Sequence, residues 1–417
     1  MVKYSYDYLR QKLSNHSQNR ATNSSDIYSL ADSIEFKEGG TMRITDVEAI
    51  ELRLPETEMT GYPHRASPAG NTLIVKIHTD EAIVGIGEVE SSARVAKAVI
   101  EAPPSMVMVQ GLKQLLVGMN PLDIRVINDK LYQASFYYGR RGVVVHAIGG
   151  IDIALWDIAG KYYKQPIYQL LGGAYYNKVR AYASVLFGQD GNETCEIGKK
   201  WISQGFTAVK FGWAPLGQSE KLDLELVEGA RRGVGDKHDV LIDAGCCWDT
   251  ITAIKRVRQF EDYDIFWLEE PLAQDNIEGY GKLTSVSEVP IAAGEGHCGR
   301  FDFADLIVRG GIHIAQIDLA RNGFTEAMRI ADLAEDHSLK VVNHFWTTGV
   351  NLAASLHFLA SRKTSFILEY GVEETPIRWD VTKQRMKIDS EGFVHVPEGP
   401  GLGIDLNEKT IETLRVQ

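Results

Sequence analysis

The chain has 417 residues, enough for two domains of ordinary size. Hydrophobic residues make up 44% and charged residues 24%, which is the balance of a globular protein. The formal net charge of −12 disfavours nucleic acid as a partner, because phosphate binding needs a basic surface.

The first 41 residues are polar and rich in Ser and Asn, and they lack the apolar core of a signal peptide. We expect a poorly ordered extension here. No stretch reaches the roughly 18 apolar residues of a membrane helix, and the four cysteines show no paired metal spacing. These features predict a cytoplasmic protein with reduced thiols and no membrane contact.

Alternation of apolar and polar side chains marks the first part of the chain that we expect to fold. It occurs in residues 42–55, 72–79 and 83–88 and predicts a three-stranded antiparallel sheet. Helical spacing dominates from about 92 to 172. Strands followed by helices predict an α+β domain over residues 42–165.

The connection between the first two strands, residues 56–71, is long and rich in Gly, Pro and Thr. A loop of this length inside a compact domain is either functional or disordered. Both readings stay open: a lid over an active site, or a mobile loop.

After Gly173, short apolar runs alternate with helical segments at a regular period, which predicts the eight strands of a β/α barrel over residues 166–375. The runs are 179–184, 208–212, 239–244, 264–270, 289–295, 312–318, 339–344 and 365–369. The rival fold, an open doubly wound sheet, would need a glycine-rich phosphate turn after its first strand, and residues 184–188 are not one.

Ionisable side chains end most of these runs. They are Lys210, Asp243, Glu269, Glu295, Asp318, His344 and Glu369. From Asp243 to His344 they recur every 23 to 26 residues, about one strand–helix unit. Since the carboxyl ends of barrel strands meet on one face, we expect all of them in one pocket.

Three of these residues, Asp243, Glu269 and Glu295, form a candidate metal site. Buried carboxylates held close together repel one another, and a divalent cation removes that repulsion. Oxygen-only ligands without His or Cys favour Mg²⁺ over zinc or copper.

Asp318 and His344 end adjacent predicted strands. A carboxylate beside an imidazole fixes its tautomer and raises its basicity, so this pair is a candidate general base or acid. Lys210 is placed to pair with a substrate carboxylate or to relay a proton, and Glu369 to hydrogen-bond that carboxylate if protonated. A cation beside such a base suits removal of a proton next to a carboxylate, because the enediolate that forms carries extra negative charge.

The chain resembles the enolase superfamily, specifically its mandelate racemase-like branch, over residues 42–410. The motifs that carry the resemblance are AIGGIDIALWDIAGKYYKQPIYQLLGG (147–173), GFTAVKFG (205–212), LIDAG (241–245), WLEEP (267–271), AAGEG (292–296), QIDLARNGF (316–324) and VVNHFWTTG (341–349). The resemblance implies an α+β capping domain, a modified β/α barrel, and a C-terminal segment, 376–417, that returns to the cap.

The resemblance also implies roles for the site residues. It places the metal on Asp243, Glu269 and Glu295, the catalytic dyad on Asp318 and His344, and an electrophilic acid on Glu369.

The resemblance further makes residues 56–71 and about 89–94 specificity loops. His64 and Arg65 then become candidate substrate contacts, although a solvated loop fits them equally well. Trp213 either shapes the substrate pocket or packs in the fold.

Two departures from the family pattern bear on the reaction. Members commonly carry Lys-x-Lys or Lys-x-Arg at the end of the second strand, and here the second position is Gly212. Asp243-Ala244-Gly245 likewise stands where Asp-x-Asn is common. Loss of the second lysine disfavours a two-base racemase or epimerase and favours one-base chemistry by the dyad.

These features predict a sugar-acid dehydratase that acts on an aldonate or aldarate with Mg²⁺ and that assembles as a homo-oligomer. A sugar-lactone cycloisomerase is the first alternative and an epimerase the second. A glycosidase, which also sets carboxylates at barrel strand ends, and a non-catalytic relative are the rivals from other classes.

Overall fold

The computed structural model describes residues 42–54 and 70–417, which form one compact unit. The expected N-terminal extension and most of the expected loop, including His64 and Arg65, lie outside the described residues.

The predicted three-stranded antiparallel sheet is present, with strands β1 Ile44–Arg53, β2 Asn71–Thr79 and β3 Val84–Val89 in the order β1-β2-β3. Both faces of β2 are buried, because the sheet separates two hydrophobic cores. Ile74 packs into the core shared with the barrel, whereas its neighbour Val75 packs among the helices of the first domain. Successive strand residues point to opposite faces, which explains this division.

Five helices follow the sheet: α1 Ala93–Glu101, α2 Leu112–Leu116, α3 Ile124–Ser135, α4 Val143–Tyr163 and α5 Ile167–Leu170. Helix α4 lies directly on β3. A Cβ added to Gly87 would lie 2.0 Å from the carbonyl oxygen of Gly150, so glycine is required for this close approach.

Contrary to the expectation from sequence, one stretch has the length and hydropathy of a membrane span. It is α4, with a mean hydropathy of 1.5, and 83% of its apolar window is buried inside the protein. A helix that is apolar on every side is typical of a protein core as well as of a membrane, and α4 packs between the first sheet and the barrel.

The predicted barrel is also present. Its strands are β4 Lys178–Leu186, β5 Ala208–Gly212, β6 Asp239–Asp243, β7 Ile265–Glu269, β8 Ile291–Ala293, β9 Ile314–Asp318, β10 Lys340–His344 and β11 Leu368–Gly371. Neighbouring strands pair in parallel from β4 to β10, and β11 pairs with β4. A single bridge between Val341 and Ser365 completes the circle.

The barrel is wrapped by helices that alternate with its strands, as the right-handed β/α repeat requires. These are α6 Gly191–Ser203, α7 Glu220–Val234, α8 Thr250–Phe260, α9 Ile277–Thr284, α10 Gly299–Val308, α11 Leu319–Asp336 and α12 Gly349–Ala360. Polar side chains cap several of their N-termini; Asp318, for example, accepts a hydrogen bond from the Arg321 backbone at the start of α11.

The chain ends with α13 Pro376–Trp379, β12 Phe393–His395 and α14 Glu408–Leu414. Strand β12 pairs antiparallel with β4 of the barrel, and the Val416 amide donates to the Glu51 carbonyl of β1 at 2.9 Å. The C-terminal residues therefore contact both the barrel and the first sheet. The exact domain boundaries at 165/166 and 375/376 remain our proposal.

Candidate active site

The carboxyl ends of the barrel strands surround a cavity of about 260 Å³. It is lined by Glu90, Ser184, Val185, Leu186, Lys210, Gly212, Trp213, Asp243, Glu295, Arg321, His344, Trp346 and Glu369. This volume is below the range of about 300–1,000 Å³ that is common for ligand pockets, so the cavity suits a small ligand.

The candidate metal ligands Asp243, Glu269 and Glu295 do come together: one carboxylate oxygen of each lies within 4.8 Å of the others. Burial, with mutual repulsion added, raises the pKa of Asp243 to about 7, that of Glu269 to about 8 and that of Glu295 to about 7. Strand pairing sets Asp243 beside Glu269, whereas Glu295 lies two residues beyond β8 and not at its end as predicted.

Lys210 is the cation nearest to these acids. Its Nζ lies 2.7 Å from Glu269 Oε1, 2.6 Å from Glu369 Oε1 and 3.6 Å from Asp243 Oδ2. Burial alone would lower the pKa of Lys210, but Glu269 and Glu369 raise it well above its usual value. Lys210 is therefore held as an ammonium, which suits it to bind an anion and not to take up a proton.

The donor set fits a hard divalent cation. The three acids offer only oxygen atoms, Asp243 and Glu269 are buried while Glu295 is partly exposed, and a single ammonium cannot balance three carboxylates. Raised pKa values of this kind are what a cation would reverse on binding.

The Asp318–His344 dyad is also formed. His344 Nδ1 lies 2.6 Å from Asp318 Oδ2, and the two residues are directly paired in the β9–β10 register. Burial would raise the pKa of Asp318, but the hydrogen bond from His344 outweighs it and lowers the pKa to about 2. Asp318 is thus a carboxylate that accepts from Nδ1 and leaves Nε2 of His344 to face the cavity.

Nε2 of His344 lies 3.4 Å from Glu295 Oε2, so the imidazole stands between the dyad partner and the candidate metal ligands. Burial would lower the pKa of His344, but Glu295 and Glu90 raise it well above its usual value. Without a cation on Glu295, the imidazole is therefore held in its protonated form.

Glu369 lies at the second position of β11, not at the strand end predicted from sequence. Its carboxylate accepts from the Ser184 hydroxyl at 2.8 Å and from the Phe345 amide at 2.8 Å, in addition to its contact with Lys210. Burial would raise the pKa of Glu369, but Lys210 and His344 lower it below its usual value. These contacts favour the ionised form over the protonated donor considered from the sequence.

Two charged residues that line the cavity were not named individually from the sequence, although Glu90 lies in the expected specificity loop at about 89–94. Glu90 follows β3, and its Oε1 lies 2.8 Å from Nη2 of Arg321 at the start of α11. Arg321 Nη1 donates to the carbonyl of Glu295, so the pair connects the first domain to a candidate ligand. Burial, with repulsion from Asp318, raises the pKa of Glu90 to about 7.

Trp213 lines the cavity, one of the two placements considered from the sequence, and remains 41% exposed. Beside it, Gly212 occupies the position of the missing second lysine and pairs with Asp243 in the β5–β6 register. A Cβ on Gly212 would lie 3.1 Å from Asp243 Oδ2, so the glycine lets β5 pack tightly against a candidate ligand.

Glu270 holds the backbone on both sides of the candidate ligand Glu295. Its Oε1 accepts from the backbone amides of Gly294 at 3.4 Å and Gly296 at 3.2 Å, the two residues that flank Glu295. The signal in the sequence is the acid that directly follows Glu269, and its role depends on a contact between two neighbouring loops.

Two family profiles match the chain. The profile described as "Mandelate racemase / muconate lactonizing enzyme, N-terminal domain" matches residues 53–172. The profile described as "Enolase C-terminal domain-like" matches residues 195–410. Together they cover β2 and β3, the helices of the first domain and the barrel strands from β5 to β11.

Individual relatives agree with this match. The D-galactarolactone cycloisomerase of Agrobacterium fabrum is 32% identical, over 82% of this chain and 91% of its own. The D-xylonate dehydratase of Haloferax volcanii is 30% identical, over 90% of this chain and 95% of its own. A Rhodobacter sphaeroides crystal structure described as a predicted mandelate racemase superposes with a TM-score of 0.83 at 29% identity, covering 90% of this chain and 96% of that one.

Proposed function

The chain belongs to the mandelate racemase and muconate lactonizing enzyme family of the enolase superfamily, and we propose that it is a Mg²⁺-dependent dehydratase of sugar acids. The substrate loses a proton from the carbon next to its carboxylate and then loses its β-hydroxyl as water, which yields a 2-keto-3-deoxy acid. The observation that carries this proposal is the 2.6 Å Asp318–His344 dyad, whose Nε2 reaches the acids of the candidate metal site.

Asp243, Glu269 and Glu295 would hold the Mg²⁺. A bound divalent cation supplies charge stabilisation for a substrate carboxylate that gains electron density when its α-proton leaves. The protein supplies the rest of the positive charge through Lys210, whose ammonium is fixed by Glu269 and Glu369.

His344 moves the protons in this proposal. In its neutral form Nε2 takes the α-proton, and Asp318 stabilises the imidazolium that results. The same imidazolium then gives its proton to the departing β-hydroxyl, so that water leaves and the enol product becomes the keto acid. Glu90 and Arg321 surround the dyad and hold its charges in place.

The residues at the end of β5 favour a reaction with a single base. Lys210 is locked by two carboxylates, and Gly212 has no side chain to accept a proton. Among the described cavity-lining residues, His344 is the only imidazole, and Asp318 is its acidic partner. A single proton-transferring group favours dehydration over epimerisation, which needs two.

A sugar-lactone cycloisomerase is the second candidate. It also needs a single α-proton transfer, and the relative from Agrobacterium fabrum with this activity is 32% identical over 82% of this chain. The two reactions differ in product, because a cycloisomerase forms no net water.

A screen of aldonates, aldarates and their lactones with Mg²⁺, read by 2-keto acid formation, tests the proposal. We expect keto acid from at least one acid, and none with EDTA or in His344→Asn. Keto acid that forms in the presence of EDTA would support a metal-independent elimination instead. Keto acid formed from a lactone but from none of the free acids would support the second candidate, because elimination of the lactone oxygen also gives a keto acid, and no reaction at all would support a non-catalytic relative. Size-exclusion chromatography tests the expected homo-oligomer.

A further inference from the structure

Among the described residues, acidic side chains outnumber basic ones at the cavity. Six carboxylates lie in it or hydrogen-bond its cations, and these are Glu90, Asp243, Glu269, Glu295, Asp318 and Glu369. The basic groups among the described residues are Lys210, Arg321 and His344. The side chains sum to an excess of three negative charges when all are ionised, and a divalent cation leaves an excess of one.

Each of the three basic groups is already paired with a carboxylate of the protein. Lys210 lies 2.7 Å from Glu269, and His344 lies 2.6 Å from Asp318. Arg321 directs Nη2 to Glu90 at 2.8 Å and Nη1 to a backbone carbonyl. Any further anion must therefore compete with a short ion pair that is already made.

Among the described residues, the rest of the cavity wall carries no charge. Val185 and Leu186, at the end of β4, line it together with Trp346 of the loop after β10. A carboxylate placed against this wall loses hydration without gaining a cationic partner, which costs far more than placing a hydroxyl there.

From this arrangement, and resting on the proposed function, we propose that the site selects a sugar acid with a single carboxylate and rejects the matching dicarboxylate. The first carboxylate binds beside Lys210 and the candidate metal ligands. The far end of the substrate, a hydroxymethyl group in an aldonate, lies toward Leu186 and Trp346. An aldarate carries a second carboxylate there and meets the uncharged wall and the excess negative charge together.

Binding of matched acids tests this selection without requiring turnover. Isothermal titration calorimetry with galactonate and galactarate, in Mg²⁺ and in a His344→Asn background, gives both dissociation constants. We expect galactarate to bind at least about 30-fold more weakly, the order that a carboxylate without a partner costs. The same comparison with gluconate and glucarate shows whether the preference depends on the stereochemistry of the sugar.

A change of the wall should weaken the preference. Leu186→Arg places a guanidinium on the uncharged side of the cavity, and we expect it to reduce the ratio of the two dissociation constants by about tenfold or more. Leu186→Met, in the same background, is the control for altered packing and should leave the ratio unchanged. Folding of each variant is checked by circular dichroism.

The outcomes separate this inference from the proposed function. Diacids that bind as tightly as monoacids in the parent overturn the inference, and so does a ratio that Leu186→Arg leaves unchanged. If diacids bind tightly and Arg65→Ala abolishes that binding, Arg65 is the cationic partner of the second carboxylate. Monoacid binding without keto acid formation by the native enzyme contradicts the proposed function alone, and binding of neither acid contradicts both.

Discussion

His344 Nδ1 lies 2.6 Å from Asp318 Oδ2, between two side chains that the β9–β10 register places directly opposite each other. The contact is fully buried, and it fixes which ring nitrogen faces the cavity. The chemistry proposed for this protein depends on that orientation, so substitutions at the two positions are its sharpest probes.

Asp318→Asn should lower kcat by about 10²–10⁴-fold, the range expected when a general base loses its charged partner. The amide keeps the size of the side chain but cannot stabilise an imidazolium, and it favours the wrong tautomer when its NH₂ faces Nδ1. Steady-state kinetics measures the effect, and KM should change much less than kcat, because Asp318 is not placed to touch the substrate.

Glu326→Gln is the matched control for that substitution. Glu326 of α11 is also a poorly exposed acid, but it pairs with Arg300 and Arg329 away from the catalytic cavity. Its replacement should leave kcat within about threefold of the parent, since Glu326 and its two arginine partners do not line the catalytic cavity. Equal losses of kcat in both variants would point to a general folding defect and not to the dyad.

Mg²⁺ should stabilise the protein more at high pH than at low pH. Burial raises the pKa of Asp243 to about 7 and that of Glu269 to about 8, above the value of about 4 in an unfolded chain. The metal-free fold therefore holds extra protons, and its stability falls as the pH rises from about 4 through about 8. Mg²⁺ binds the deprotonated acids, so the difference in Tm between Mg²⁺ and EDTA should grow over that window.

The matching control is Asp243→Asn, in which the Mg²⁺-dependent part of Tm should shrink at every pH. A Tm difference that does not vary between about pH 6 and about pH 8 would contradict the assignment of these acids as ligands.

A buried histidine outside the active site should make the fold sensitive to acid. His357 of α12 contacts the Leu402 carbonyl through Nε2 at 3.1 Å and accepts from the Tyr168 amide through Nδ1. Burial lowers its pKa to about 4, below the usual value of about 6.5. The stability from this neutral histidine is present above about pH 6.5 and is lost as the pH falls toward 4.

His357→Gln removes that titration while keeping an amide that hydrogen-bonds. Urea unfolding at several pH values measures the free energy of unfolding. Between about pH 6.5 and about pH 4 it should fall less in the variant than in the parent, and the two slopes against pH should differ by the equivalent of about one bound proton. Parallel curves for the two proteins would show that His357 is not the group responsible.

Gly212→Ala should weaken Mg²⁺ binding. The new Cβ would lie 3.1 Å from both Cβ and Oδ2 of Asp243, so the candidate ligand has to shift. We expect the affinity for Mg²⁺ to fall roughly tenfold, as for other substitutions at residues that contact and orient a metal ligand. Titration calorimetry measures this, and the Tm in EDTA should stay close to that of the parent if the effect is local.

Much of the site could be predicted because the barrel repeats. Asp243, Glu269, Asp318 and His344 are the last residues of their strands, as their short apolar runs indicated. The eight strands and the first antiparallel sheet were also correct, since both patterns depend on local alternation and apolar runs.

Other parts of the site depend on contacts that no local pattern encodes. Glu90 and Arg321 are 231 residues apart in sequence, and only the packing of the first domain on the barrel brings them together. Trp346 follows the dyad histidine, but its place in the cavity wall depends on the path of the loop after β10. Glu295 lies beyond its strand because β8 is only three residues long. The roles of His64 and Arg65 stay predictions, since both lie outside the described residues.

The most direct test of the central claim is exchange of the substrate α-proton in D₂O, followed by NMR with an aldonate that the enzyme binds. With Mg²⁺, the native enzyme should place deuterium at the α-carbon of recovered substrate or at the former β-carbon of the keto acid, and His344→Asn should abolish both while still binding the acid. Undiminished incorporation in His344→Asn, or none in the native enzyme with Mg²⁺ and bound acid, would contradict His344 as the group that moves the proton.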